Sequence, residues 1–251
     1  MKKIFSMAAI ALFTMTSCSD DDSSSTNPDS NLVLPKKMVT IIDGETVTTD
    51  YTYNGNKLVS AVSTDGELQE YTYSGDKITE CETSYNGALE QRDVYTYDGD
   101  NLTMFKMYLY DEEGAIDFIS KNEYTYNADG TISIIMYHNY SNGGNEEYII
   151  YDQGVITFNN GNLVSYMGDS DDEVYTFDDK NSVTKNIASN YYMALAFIEG
   201  GVNNILTDTY SINDVVDYMA TSVYTYNSNN YPVTEVMTYG EETETYQYFY
   251  E

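Results

Sequence analysis

Tryptophan is absent from the 251 residues, histidine occurs once and cysteine twice. A single imidazole cannot build a histidine metal cluster, and two thiols cannot build a disulfide framework. Basic residues are few: 11 Lys and Arg stand against 41 Asp and Glu, a formal charge of −30. A chain this acidic repels another polyanion, which argues against nucleic acid as a partner. Long apolar runs are missing too, with one exception near the N-terminus. What is present is enough to build a core: 41% of the residues are hydrophobic and 14% aromatic, 28 of them Tyr. That composition argues against disorder along the whole length.

The exception is Ile4 to Met15, mostly apolar and uncharged, behind Lys2 and Lys3. It is too short for a transmembrane helix but suits the hydrophobic part of a signal peptide. It runs into Met15-Thr16-Ser17-Cys18, which resembles a bacterial lipobox with Met where Leu is usual. The resemblance implies removal of residues 1–17 and lipidation of Cys18, so that the membrane becomes a partner through an N-terminal lipid. Ser19-Asp20-Asp21-Asp22 and the Ser/Thr/Asn run after it predict a flexible acidic tether over 18–31. A serine and acidic residues behind the lipid cysteine resemble the surface-export signal of Bacteroidota lipoproteins. The implied location is the outer membrane, with the protein lipid-anchored and exposed at the cell surface. The mature chain would carry 9 basic residues against 41 acidic ones, a charge of −32.

The remainder, 32–251, reads as a single β-repeat domain. Tyr51-Thr52-Tyr53-Asn54-Gly55 recurs at Tyr71, Tyr95 and Tyr124, more weakly at Ile156 and Tyr175, and again at Tyr224. Tyr246-Gln247-Tyr248 is a terminal half-copy. Tyr-Thr-Tyr alternates, so both rings face one way and the threonine the other. The Asn/Asp/Ser-Gly step supplies the positive φ of a tight turn. An apolar residue then opens a return strand, as in Leu58-Val59-Ser60-Ala61-Val62. Leu58 and Ala61, like Leu102 and Phe105, are three apart, and cannot share a strand face without a bulge.

This pattern predicts an all-β antiparallel meander of repeated hairpins. A flat open sheet of that width is unusual. The expectation is therefore a strongly twisted or curled sheet, a partial barrel or a winding shell, in a monomer. Ser189 to Glu199 breaks the pattern as a short amphipathic helix stopped at Gly200-Gly201, packing on the sheet as a plug.

The repeat resembles the YD repeats of Rhs-type proteins. It is more similar still to Bacteroidota lipoproteins of unknown function with YD-like repeats behind a Ser-Cys-Ser-Asp start. That resemblance implies no activity. The toxin module and cleavage signature of large Rhs proteins are not in this sequence.

Catalytic patterns are missing. His138 lies in the strand-like run Met136-Tyr137-His138-Asn139-Tyr140 with no Gly-x-Ser-x-Gly nearby. Cys81 has acidic neighbours, which oppose a thiolate. Asp169-Ser170-Asp171-Asp172-Glu173 lacks the spacing and glycine of a calcium loop and reads as a solvated turn. No metal site, cofactor or catalytic residue is expected. The reading is a surface-anchored, non-catalytic binding or interaction module for a glycan or a protein. Its candidate stacking residues are Tyr51, Tyr53, Tyr71, Tyr73, Tyr95, Tyr97, Tyr124 and Tyr126. Two alternatives stay open: a carboxylate-dependent glycoside hydrolase, since acids are abundant, and a structural spacer of the cell envelope.

Overall fold

The computed structural model describes residues 32–140, 147–196 and 201–250. The signal segment, Cys18 and the tether lie outside them. The strands in chain order are β1 (Pro35–Ile42), β2 (Glu45–Asn54), β3 (Lys57–Ser63), β4 (Glu67–Ser74), β5 (Lys77–Tyr85) and β6 (Ala88–Asp98). Then come β7 (Asn101–Tyr110), β8 (Ile116–Tyr126), β9 (Ile132–Tyr140), β10 (Ile149–Asn159), β11 (Asn162–Gly168) and β12 (Asp171–Phe177). A short helix α1 (Asn190–Leu195) precedes β13 (Ile205–Ile212), β14 (Val215–Tyr226), β15 (Pro232–Tyr239) and β16 (Glu242–Tyr250).

Every strand pairs antiparallel with its sequence neighbours, and β1 pairs with β16. The sheet is therefore a closed 16-stranded barrel. This corrects the expectation of a curled open sheet, partial barrel or winding shell; the all-β antiparallel meander itself stands. Closure comes from β1, which carries no copy of the Tyr repeat. Its Met38 and Thr40 lie opposite Tyr248 and Tyr246 of the terminal half-copy. Pairing the first and last strands removes both free edges, which would otherwise template association.

The three-residue spacing in the return strands is explained by bulges. Thr52 pairs with Ser60 but Tyr53 pairs with Leu58, so Val59 is the extra residue. The same shift occurs between Thr72 and Tyr73, Thr96 and Tyr97, Thr157 and Phe158, and Thr225 and Tyr226. Leu58 and Ala61 then point the same way, and both are buried. The Tyr124 copy has no such shift. A repeated bulge adds right-handed twist at a fixed place in successive hairpins, which helps a wide sheet close. In the second copy, Gly75 opens the turn with φ of +59°, a conformation that side chains resist.

Turns from even to odd strands gather at one end of the barrel, and a long connection covers that end. The described residues of the connection between β12 and β13, 178–196 and 201–204, form this cap. The Ala188 N–H donates to the Asn56 carbonyl at 2.8 Å, and the Ser189 hydroxyl donates to the Asp76 carbonyl at 2.8 Å while accepting the Ile78 N–H. Tyr192 donates to the Asp100 carbonyl, and the Asn181 N–H to the Asn230 carbonyl. The cap thus touches turns from opposite sides of the barrel. The predicted helix starts where expected but is short, Asn190–Leu195. Ser189, its N-cap, makes no side-chain bond to the helix, because its hydroxyl is spent on the barrel. Leu195 and Ala196 drop into an apolar core with Ile78, Leu102, Phe105, Ile132, Ile134, Ile156 and Leu163. A fully buried leucine there contributes roughly 2 kcal/mol of transfer free energy.

Candidate functional site

Inward-facing positions follow from register and burial. Thr49, Tyr51 and Tyr53 share the inner face of β2, and their partners Ser63, Ala61 and Leu58 do the same on β3. Carried round the barrel, the alternation turns all eight candidate tyrosines inward. Tyr95 and Tyr124 are buried and belong to the core; Tyr71, Tyr73, Tyr97 and Tyr126 pack against it. Tyr97 donates to the Ile78 carbonyl at 2.8 Å, Tyr124 to the Leu195 carbonyl at 2.8 Å, and Tyr126 accepts the Leu102 N–H at 3.1 Å. Tyr71 donates to Gln69, and Tyr51 lies against the Met38 sulfur. Burial raises the phenols of Tyr73 and Tyr126 to about 12. The early copies therefore build one wall of packed rings, tied to the cap.

Carboxylates share this inner face. Glu67, Asp93, Asp152, Glu173, Asp208 and Glu235 all lie inward, each flanked or faced by inward Tyr or Gln. The basic side chains of the strands do not join them. Lys37, Arg92, Lys106 and Lys121 alternate onto the outer wall, and Lys36, Lys57 and Lys77 stand at cap-end strand starts. Hydroxyls and amides take the place of cations. Gln91 donates to both oxygens of Asp93 at 3.0 Å, and Tyr166 donates to Asp152 at 2.5 Å. Burial pushes the Asp93 carboxyl up to about 7. Glu67 also rises to about 7, through burial first and then the charges of Asp65 and Glu90.

On the opposite wall, the late copies and the cap line a partly open cavity of about 190 Å³. Ser182, Val183 and Thr184 of the cap line it with Asn203 and Asn204, and β13 to β16 supply the rest. Glu235 is its best-held charge. One oxygen accepts from Ser222 at 2.7 Å and the other from Tyr248 at 2.6 Å, while the Tyr224 hydroxyl shares its single proton between Glu235 and the Ile205 carbonyl, each at 2.9 Å. Asp208 accepts from Tyr218 at 2.9 Å through one oxygen, while the other is buried with no hydrogen-bond partner. Burial accordingly raises its carboxyl. Met237, Ala220, Ile205 and Leu206 give the cavity an apolar side.

The candidate list from sequence names neither carboxylate and neither Tyr224 nor Tyr248. The available signal was Glu235 opposite Tyr224 in the last full copy, a pairing that needs the bulged register. Cys81 is buried, and desolvation pushes its thiol to about 12, with the Asp93 charge adding to the rise. His138 stacks on Tyr151 with ring centroids 4.2 Å apart and meets Phe118 edge-on, and burial lowers its pKa. The acidic run 169–173 is only partly a turn. Asp171 to Glu173 begin β12, and Asp171 accepts a hydrogen bond from Tyr151. Among the described residues, no group of three or more His, Cys, Asp or Glu is placed to hold a metal ion.

No protein-family model matches the chain, and no curated protein matches it. Solved structures do. A porin-like protein from Bacteroides uniformis is 13% identical over 86% of this chain and 98% of its own, with a TM-score of 0.48. A porin-like protein from Bacteroides vulgatus is 15% identical over 87% of this chain and 99% of its own, with a TM-score of 0.57. The second likeness is one of fold: this chain shares the architecture of a Bacteroides porin-like protein across nearly that protein's whole length.

Proposed function

We propose that the protein is an outer-membrane lipoprotein whose barrel is a capped binding cup, with no catalysis and no conducting pore. The observation that carries this reading is the cap. It bonds to turns around one end and sends Leu195 into the core, so that end is filled with packed side chains. The lipobox resemblance at Cys18 supports the membrane tie. The fold likeness to a Bacteroides porin-like protein supports the outer membrane as its setting. The ligand binds inside the barrel, in the cavity beneath the cap.

The fold likeness also favours a second reading, a barrel that spans the membrane. The outer wall speaks against it. Asp50, Glu70, Glu80, Glu82, Arg92, Lys106, Lys121 and Glu123 project outward from β2 to β8, most of them well inside their strands. A lipid-facing barrel carries an apolar band about 25 Å tall there, and a buried Arg or Lys costs about 2–4 kcal/mol at the midplane. Across β2 to β8 the outer wall carries no such band, which supports a barrel held by its tether with that side in water.

Two measurements test the proposal. Cys18→Ser should move the protein from the membrane fraction to the soluble fraction. Purified protein added to planar bilayers should give no conductance steps. Regular single-channel steps would overturn the cup, and membrane retention of the Cys18→Ser protein would overturn the tether.

A further inference from the structure

We infer that the outer wall formed by β11 to β16 is a docking face for the surface of a lipid bilayer, on which the tethered barrel lies on its side. This rests on the lipid-tether reading above and adds how the barrel meets the lipid. The first support is the distribution of charge. Strand register turns Met167, Val174, Val216, Val223, Val236 and Phe249 outward, and all six are exposed. The chain holds 41 acidic residues. Yet the outward paired positions of these six strands include one charge, Asp172, beside the uncapped rim. Asp217, in the bulge of β14, lies near the same rim. Phe249 stands towards the cap and Val216 towards the other end, so the apolar groups run the height of the wall. A bilayer surface meets them together when the barrel axis lies along it.

The second support is where the anchored segment joins the barrel. Val33 sits at the cap end, where its carbonyl accepts from Asn186 at 2.9 Å. The strand that follows, β1, pairs with β16 and sets Lys37 opposite Phe249. The tether therefore meets the barrel at the border of the uncharged wall. Residues 18–31 would reach about 50 Å at full extension and about 20 Å as a random chain. Either length lets that wall rest on the leaflet that holds the lipid.

The third support is the mixture of side chains. Threonines interleave with the apolar groups, and some pair their hydroxyls: Thr176 with Thr207, and Thr225 with Thr234, each at 2.6 Å. A paired hydroxyl costs less to take from water than a free one. Hydroxyls among aliphatic groups suit the headgroup boundary, where interfacial segments bury an apolar face about 5–10 Å deep. The same mixture makes the wall a weak site by itself. A tether raises the effective concentration to roughly the millimolar range, so docking is populated in the lipidated chain and lost with the lipid. A second copy of the chain is the competing occupant. Two convex walls would meet along a narrow strip, whereas lipid conforms to a curved face.

Fluorescence quenching in the lipidated full-length chain on phosphatidylcholine vesicles tests this. A nitrobenzoxadiazole label is placed on Val223→Cys or on Glu70→Cys, and the quencher is phosphatidylcholine with a nitroxide high on its acyl chain. The expected quenching at Val223→Cys is at least threefold that at Glu70→Cys. It should persist in about 0.5 M salt, since no charge pairing holds the wall down. Adding Val216→Glu with Val236→Glu should lower the Val223→Cys signal to the Glu70→Cys level, and circular dichroism melts would show that this variant stays folded. Quenching that survives the double substitution would overturn the inference. Equally weak quenching at both labels would overturn it while leaving the tethered cup intact. A blue-shifted but unquenched label on Val223→Cys would overturn it in favour of a second copy. Strong quenching at both labels would overturn it together with the tethered cup, because the barrel would then sit within lipid.

Discussion

The hydroxyl of Tyr124 donates to the carbonyl of Leu195 at 2.8 Å, across 71 residues of sequence, and both residues are buried. This bond joins the barrel wall to the C-terminal end of α1, where helix carbonyls lack helical partners. Tyr124→Phe would keep the ring and strand the carbonyl. The expected cost is about 1–3 kcal/mol. The loss should fall on the cap before the barrel. Hydrogen exchange should therefore quicken at 186–196 by more than tenfold while the amides of β6 to β9 change little. Uniform quickening across the barrel would show that cap and wall open as one unit.

Barrel closure can be tested covalently at the seam. Val39 of β1 lies opposite Gln247 of β16, both on the outer face. Directly paired positions on antiparallel strands bring their Cα atoms within disulfide range. In a Cys18→Ser background, Val39→Cys with Gln247→Cys should form a disulfide in air, visible as a faster band on a non-reducing gel. Cys81 is buried inside the barrel and should not compete. An open curled sheet would leave the two thiols apart and reactive toward maleimide.

Stability should fall as pH rises, and Asp93 should be a principal cause. Its carboxyl is raised to about 7 by burial, so the folded state holds the proton more tightly than the unfolded chain. The stabilisation is then full below the unfolded value near 4 and is lost as pH climbs through about 7. The three-unit gap corresponds to at most about 4 kcal/mol. Glu67, also raised to about 7, acts in the same direction. Wild type should melt several degrees lower at pH 8 than at pH 5. Asp93→Asn should narrow that difference, chiefly by raising the melting temperature at pH 8. An unchanged difference in both Asp93→Asn and Glu67→Gln would place the pH dependence elsewhere, for example in the self-repulsion of the net negative charge.

How much of this was readable beforehand depends on the range of the interaction. Tyr51-Thr52-Tyr53-Asn54-Gly55 is a local signal, and its strands, its turns and the shared facing of its two rings follow from period two and positive φ, whereas the inward direction of the rings needed the closed barrel. The spacing of Leu58 and Ala61 pointed to a bulge before any register was known. Closure was not readable, because it rests on β1 meeting β16 over a separation of some two hundred residues, and β1 lacks the repeat. The cavity was hidden for a related reason. Glu235 gains meaning only when Ser222, Tyr224 and Tyr248 converge on it from two neighbouring strands. With 41 acidic residues in the chain, no single carboxylate announces itself. The eight early tyrosines drew notice because they repeat most regularly, and that regularity accompanies their role in packing.

The outer wall offers the sharpest test of how the barrel meets a membrane. Its charges are unevenly spread. From β2 to β8 the outward positions include Glu70, Glu80, Arg92, Lys121 and Glu123, whereas from β13 to β16 they include Val216, Met219, Val223, Val236 and Phe249, interleaved with Thr. Val223 is 69% exposed and Met219 52%, so this part of the wall is apolar yet uncovered in the single chain. A spanning barrel would bury both parts in lipid. A tethered barrel would leave the charged part in water, whatever the apolar part rests against. Single cysteines at Glu70, Glu123 and Val223, in a Cys18-lipidated protein reconstituted into vesicles, separate these cases. A membrane-impermeant maleimide should label Glu70→Cys and Glu123→Cys as fast as in detergent solution, because water reaches them. If labelling at both slows more than tenfold in vesicles, the charged wall faces lipid and the tethered-cup reading fails. Slowing at Val223→Cys alone would mean that the uncharged wall is the side turned to the membrane.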